Sequence, residues 1–116
     1  CPPDFTVWSG NDGSTAAIMA LGGKGVISVA ANVVPREMHE LTQLCLENRF
    51  LEAGTLQLKL HELIRALFCE VNPIPVKTSM ELLGLCGGEL RLPLCRMSER
   101  HLEQLSHALE PFRPAV

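Results

Sequence analysis

Tyrosine is absent from this 116-residue sequence, tryptophan occurs once, and aromatic residues make up 4% of it. Any core formed here must therefore be aliphatic. Positive charge is not in excess: 10 Lys and Arg stand against 13 Asp and Glu, a formal charge of −3. That balance argues against a nucleic-acid binder, which carries a basic face. No run approaches the roughly 18 apolar residues of a membrane span. There is no C-x-x-C pair: Cys1, Cys45, Cys69, Cys86 and Cys95 are wide and irregular in spacing. Neither a zinc site nor any other metal site is expected from them. Free thiols in a reducing cytoplasm are the simpler reading. Cys1-Pro2-Pro3-Asp4 has neither the basic region nor the apolar run of a signal peptide. His39, His61, His101 and His107 are scattered through helical patterns, and surface positions are expected for them.

What is present is a 47% hydrophobic content, enough for one domain that buries about two-thirds of its unfolded surface. Leu21-Gly22-Gly23-Lys24-Gly25-Val26-Ile27-Ser28-Val29 reads as a helix end, a glycine turn and a strand. Its β-branched, nearly unbroken apolar run predicts a strand buried on both faces, as in a parallel sheet covered by helices. Upstream, Phe5-Thr6-Val7-Trp8 is a second short strand. Ser9-Gly10-Asn11-Asp12-Gly13 turns it into a short helix over residues 15–21, with Asp12 or Ser14 as the cap. Residues 5–29 thus predict a βαβ unit with parallel strands.

Helices follow. Pro35 suits a first helical position, and Met38, Leu41, Leu44 and Cys45 then line one face until Asn48-Arg49 breaks the pattern. A longer helix is predicted over residues 50–68, with Ala53, Leu56, Leu60, Leu63, Ile64 and Leu67 as its stripe. Core packing is the favoured use of that stripe, with a subunit interface as the rival. Asn72-Pro73-Ile74-Pro75-Val76-Lys77 forces an extended entry into a helix that stops at Leu83-Gly84. Leu90-Arg91-Leu92-Pro93-Leu94 is extended, and Pro93 bars it from a central strand. Ser98 caps a last helix carrying Leu102, Leu105 and Leu109, which stops before Pro111. Two strands with raw edges need further partners. The expectation is the C-terminal part of a larger α/β protein, prone to self-association through those edges when isolated.

Ser9-Gly10-Asn11-Asp12, Leu21 to Val29, Ala31-Asn32-Val33, Asn72 to Lys77 and Leu90 to Leu94, in that order, resemble the C-terminal region of the dihydrodipicolinate synthase family. The resemblance covers essentially the whole chain. It implies an α/β fold: the C-terminal fragment of a (β/α)8 TIM barrel. Residues 1–34 would be its last βαβ part, containing strands seven and eight. Residues 35–116 would be the eighth barrel helix and a C-terminal helical extension. The implied activity is that of a class I lyase, condensing pyruvate with aspartate semialdehyde in lysine biosynthesis. Family members hold pyruvate as a Schiff base on a sixth-strand lysine, use a tyrosine as proton relay, and are usually cytoplasmic homotetramers. No cofactor, nucleic acid or membrane partner is expected.

By the same resemblance, the Ile27 main chain lines the pyruvate pocket, and Ser9, Gly10, Asn11 and Asp12 are candidate rim residues. A plain core-strand role for Ile27 and a helix-cap role for Asp12 are the alternatives. No catalytic residue is assigned. A Schiff-base lysine needs a dry, concave site, and only Lys24, Lys59 and Lys77 are available. Lys24 precedes its strand, on the barrel face that carries stability rather than catalysis. Lys59 lies off the apolar stripe, and Lys77 sits near a helix start. The chain by itself is thus expected to be catalytically incomplete and to depend on the remaining barrel strands. Two other functions stay open: an N-acetylneuraminate lyase or sugar-acid aldolase of the same superfamily, and a non-catalytic helical assembly or packing domain.

Overall fold

The computed structural model describes residues 2–113; Cys1, expected as a free thiol, lies outside them. Among the described residues there are six α-helices: α1 (Thr15–Ala20), α2 (Pro35–Leu46), α3 (Phe50–Lys59), α4 (His61–Leu67), α5 (Ile74–Leu82) and α6 (Glu99–Leu109). Three single 3-10 turns, Asp12–Ser14, Ala30–Asn32 and Glu110–Phe112, complete the regular structure.

Helix boundaries follow local chemistry. Three helices end in the same way, on a residue with positive φ: Gly22 (104°), Asn48 (61°) and Gly84 (71°). After α1, Gly22 N–H donates to Met19 O at 3.0 Å and Gly23 N–H to Ile18 O at 2.9 Å. The same pair of bonds closes α2 through Asn48 and Arg49, and α5 through Gly84 and Leu85. These are Schellman closures, which satisfy carbonyls that the last turn leaves open. Beyond Asn48, the Arg49 guanidinium forks onto Glu52 and reaches Glu47, staying on the surface. That fork holds the Glu52 carboxyl below its ordinary pKa.

The long helix predicted over residues 50–68 is divided. Leu60 (φ −81°, ψ −10°) interrupts it for one residue. Leu60 N–H still reaches Leu56 O at 3.0 Å, and Ile64 N–H reaches Leu60 O at 2.9 Å, so the apolar stripe runs across the break. The division falls where the partners change: α3 packs on α1 and α2, while α4 packs on α5 and α6. Leu60 is fully buried at that junction, as are Leu41, Leu63, Leu67, Leu105 and Leu109. The stripe is core, and its Leu56 is only partly covered.

The predicted strands require the largest correction. Among the described residues no strand forms; one isolated parallel bridge joins Ser9 to Val26. Three hydrogen bonds surround it: Lys24 N–H to Val7 O at 2.9 Å, Ser9 N–H to Gly25 O at 2.8 Å, and Ile27 N–H to Ser9 O at 2.8 Å. The direction is the one expected, but Ile27 is 73% exposed rather than buried on both faces. The physical reason is non-local. A strand acquires a ladder and covered faces only from neighbouring strands, and these two segments have only each other. Phe5, Val7 and Trp8 are accordingly more than half exposed. The whole is a slab of 45 × 33 × 21 Å, with a radius of gyration of 15.3 Å against about 13 Å for a compact domain near this length.

At the other end, Ser98 occupies the N-cap position of α6, but its hydroxyl does not cap the helix. It donates to Glu70 Oε1 at 2.6 Å, and Ser98 N–H reaches the same oxygen at 3.1 Å. His101, half-buried rather than on the surface as expected, lies 2.7 Å from that oxygen through Nδ1. A carboxylate beside a helix N-terminus also meets the positive end of the helix dipole. Glu70 thus ties the segment after α4 to the start of α6. The Ser98 hydroxyl, and after it His101, hold the Glu70 carboxyl below its ordinary pKa. A carboxyl depressed in the folded state contributes stability above its unfolded pKa, and loses it as pH falls through the folded value. We expect Glu70→Gln to cost about 1 kcal/mol near neutral pH. That cost should vanish at a pH below the usual carboxylate range near 4, and urea midpoints measured against pH check it. A cost independent of pH would mean that the charge plays no part.

Candidate functional site

The candidate site is the junction of the two bridged segments with the loop before α1. Ser9, at the end of the first segment, is fully buried. Its hydroxyl donates to Asn11 O at 2.8 Å and accepts Asn11 N–H at 3.2 Å, which folds the loop back sharply. Of the predicted caps, Ser14 occupies the N-cap position of α1 without a side-chain hydrogen bond, and Asn11 caps the 3-10 turn before it: its Oδ1 accepts Ser14 N–H at 3.1 Å. Asn11 succeeds there because its extended backbone (φ −137°, ψ 123°) aims the side chain at the N–H groups of that turn.

Asp12 is released from capping and turns the other way. It is 1% exposed. Its Oδ2 accepts Val29 N–H at 3.0 Å and Ala30 N–H at 3.2 Å, and its Oδ1 accepts the Ser28 hydroxyl. Ser28 Oγ also accepts Ala31 N–H at 2.9 Å. The carboxylate therefore caps the 3-10 turn Ala30–Asn32 from across the chain. It is neither a cap of its own helix nor an accessible rim group.

Two further residues belong to the junction. Gln57, on α3, donates through Nε2 to Asp12 O at 3.1 Å and accepts Ala16 N–H through Oε1 at 3.2 Å. Buried Thr15 donates to the same Asp12 carbonyl at 2.9 Å. Neither Ser28, Gln57 nor Thr15 was singled out in the sequence. Ser28 alone carried a signal, as the one polar residue in an apolar run.

Of the four predicted rim residues, Gly10 and Asn11 are exposed, while Ser9 and Asp12 are interior. Ile27 stands beside them through its bond to Ser9 O. Since that bond uses the Ile27 N–H, the main-chain atom left to meet a ligand is the carbonyl. Of the lysines, Lys24 and Lys59 are exposed and Lys77 is partly covered. Among the described residues no group of three or more His, Cys, Asp or Glu is arranged to hold a metal ion, and no helix is long and apolar enough to cross a membrane. Free thiols remain at Cys45, Cys69, Cys86 and Cys95. Burial raises the pKa of Cys45 and Cys69, and for Cys69 the neighbouring Glu70 charge adds to it.

A buried loop carboxylate thus ties together two bridged segments that lie against helices, and comparison with known proteins gives the family. Residues 1–111 match the model of the dihydrodipicolinate synthetase family, and the chain belongs to that family. It is 51% identical over 112 residues to the 4-hydroxy-tetrahydrodipicolinate synthase of Acetivibrio thermocellus, covering 97% of this chain and 38% of that protein. It is 53% identical over 106 residues to the enzyme of that name from Methanocaldococcus jannaschii, covering 91% and 37%. The fold superposes on the crystal structure of dihydrodipicolinate synthase from Aquifex aeolicus with a TM-score of 0.92, at 48% identity, covering 95% of this chain and 37% of that one. A Thermotoga maritima dihydrodipicolinate synthase structure gives 0.92 at 44% identity. The chain thus spans a little over a third of the length of these relatives.

Proposed function

We propose that this chain is the C-terminal part of a pyruvate-dependent Schiff-base lyase that condenses pyruvate with aspartate semialdehyde. Residues 1–34 would supply strands seven and eight of a (β/α)8 barrel. Residues 35–116 would supply its eighth helix and a helical extension. The observation that carries this reading is the parallel Ser9–Val26 pairing with its apolar residues bare. Open grooves of about 550 and 370 Å³ run along the pair, the first lined by Phe5, Val7, Ile18 and Leu21 and the second by Trp8, Val26 and Met38. Further strands would cover both. The names carried by the relatives support the synthase over N-acetylneuraminate lyase, a sugar-acid aldolase or an inert packing domain.

In the completed barrel, the Ile27 carbonyl would meet the bound pyruvate, with Gly10 and Asn11 at the pocket rim. Catalytic groups would come from elsewhere in the barrel. A Schiff-base lysine must lose its proton at working pH, which requires desolvation or a neighbouring cation. Lys24 and Lys59 are solvated, and no tyrosine exists here to relay protons. A cytoplasmic homo-oligomer, a homotetramer by family habit, is the assembly that goes with this activity.

Borohydride trapping with pyruvate tests the division of labour. The 116-residue chain should show no covalent pyruvyl adduct by mass spectrometry. A polypeptide that also carries the preceding strands should be labelled stoichiometrically. An adduct on Lys24, Lys59 or Lys77 would overturn the view that this part is catalytically incomplete.

A further inference from the structure

We infer that Asp12 is a positioning residue for the pyruvate pocket: its buried carboxylate fixes the main chain after Ile27 and so sets the direction of the Ile27 carbonyl. This rests on the function proposed above and adds to it a residue that does not itself touch substrate.

A main-chain contact has no side chain of its own through which it can be aimed. Its geometry is set by whatever holds the backbone on either side. On the near side, Ile27 N–H is anchored to Ser9 O at 2.8 Å. On the far side, Ser28, Val29 and Ala30 all donate to the Asp12 carboxylate. The peptide unit between Ile27 and Ser28 is rigid and planar, so two torsions flanking it decide where the carbonyl points. Both lie between these anchors. Ser28 closes the far anchor further by accepting Ala31 N–H at 2.9 Å. Asp12 is in turn fixed from behind, because Gln57 and Thr15 both donate to its carbonyl. With both oxygens occupied and 1% exposure, the carboxylate has no face left for substrate. Nor does it cap α1, whose N-cap position is Ser14, or its own 3-10 turn, which Asn11 caps. What remains is to hold one strand end against the other.

Steady-state kinetics of the full-length enzyme test this, with Ser28→Ala and Asp12→Asn as variants and Leu109→Ala as a distant destabilised control. Each near variant loses or weakens part of the anchor. KM for pyruvate should rise about tenfold in both, with kcat changed by less than about threefold, as for a lost ground-state contact worth one hydrogen bond. Leu109→Ala should lower the melting temperature without moving KM. Asparagine keeps an amide oxygen for Val29 and Ala30, and Ser28→Ala keeps the whole carboxylate, so at least one variant remains folded. Unchanged KM in a folded near variant, alongside a lowered melting temperature, would reduce Asp12 to a structural role and overturn the inference alone. Wild-type enzyme that pyruvate and borohydride fail to label would overturn the proposed function and this inference together.

Discussion

Asp12→Ala should destabilise the fold by about 3–5 kcal/mol, a large share of the roughly 5–15 kcal/mol that holds an ordinary domain together. The substitution removes an interior acceptor and leaves its donors behind. Val29 N–H, Ala30 N–H and the Ser28 hydroxyl all lose the carboxylate that satisfies them. Hydrogen bonds to a charged group contribute about 1.5–3 kcal/mol each, and their losses do not add in full when the donors share one acceptor. Water can reach some of the orphaned groups, because Ser28 and Val29 are only partly covered; this sets the lower end of the range. Urea unfolding checks it: the midpoint should fall while the slope stays that of the wild type. A loss under about 1 kcal/mol would mean that solvent replaces the carboxylate at little cost.

Leu105→Ala should cost about 3–4 kcal/mol, and through a different mechanism. Leu105 is fully buried on α6, which packs on both α4 and α5. Truncation removes apolar contact and leaves a cavity whose walls are helices, and these collapse only partly. Amide exchange should then quicken along α6 before it does along α2, because α6 is fastened mainly by Leu105 and Leu109 at its core face. The Glu70 tie at its start is partly exposed and contributes less. Comparison of Leu105→Ala with Glu70→Gln tests that ranking directly. If the glutamine variant proved the more damaging, the Glu70 tie rather than the buried leucines would be holding the helix.

The stripes and stops of the helices were legible because their causes are local. Met38, Leu41, Leu44 and Cys45 are all buried, as the 3.6-residue period requires. Gly22, Asn48 and Gly84 end helices because their backbones tolerate positive φ. Capping was less legible. Asn11 and Asp12 are adjacent and both are able caps; which one serves depends on a second attraction, from donors 16 to 18 residues away at Ser28, Val29 and Ala30. Ser98 poses the same problem. It stands where a cap belongs, yet Glu70, 28 residues earlier, captures its hydroxyl.

By itself, then, the order of residues determined the family, the apolar faces of the helices and the parallel sense of the Phe5 and Val26 segments. Each depends on short-range pattern or on motifs carried intact along the chain. Tertiary structure alone decided that those segments meet at a single bridge with Ile27 exposed, and that Asp12 is an interior clamp rather than a rim group. Hydrogen bonds of a sheet and partners of a buried carboxylate come from distant parts of a chain. Which distant parts arrive is a matter of packing, and no local spacing records it.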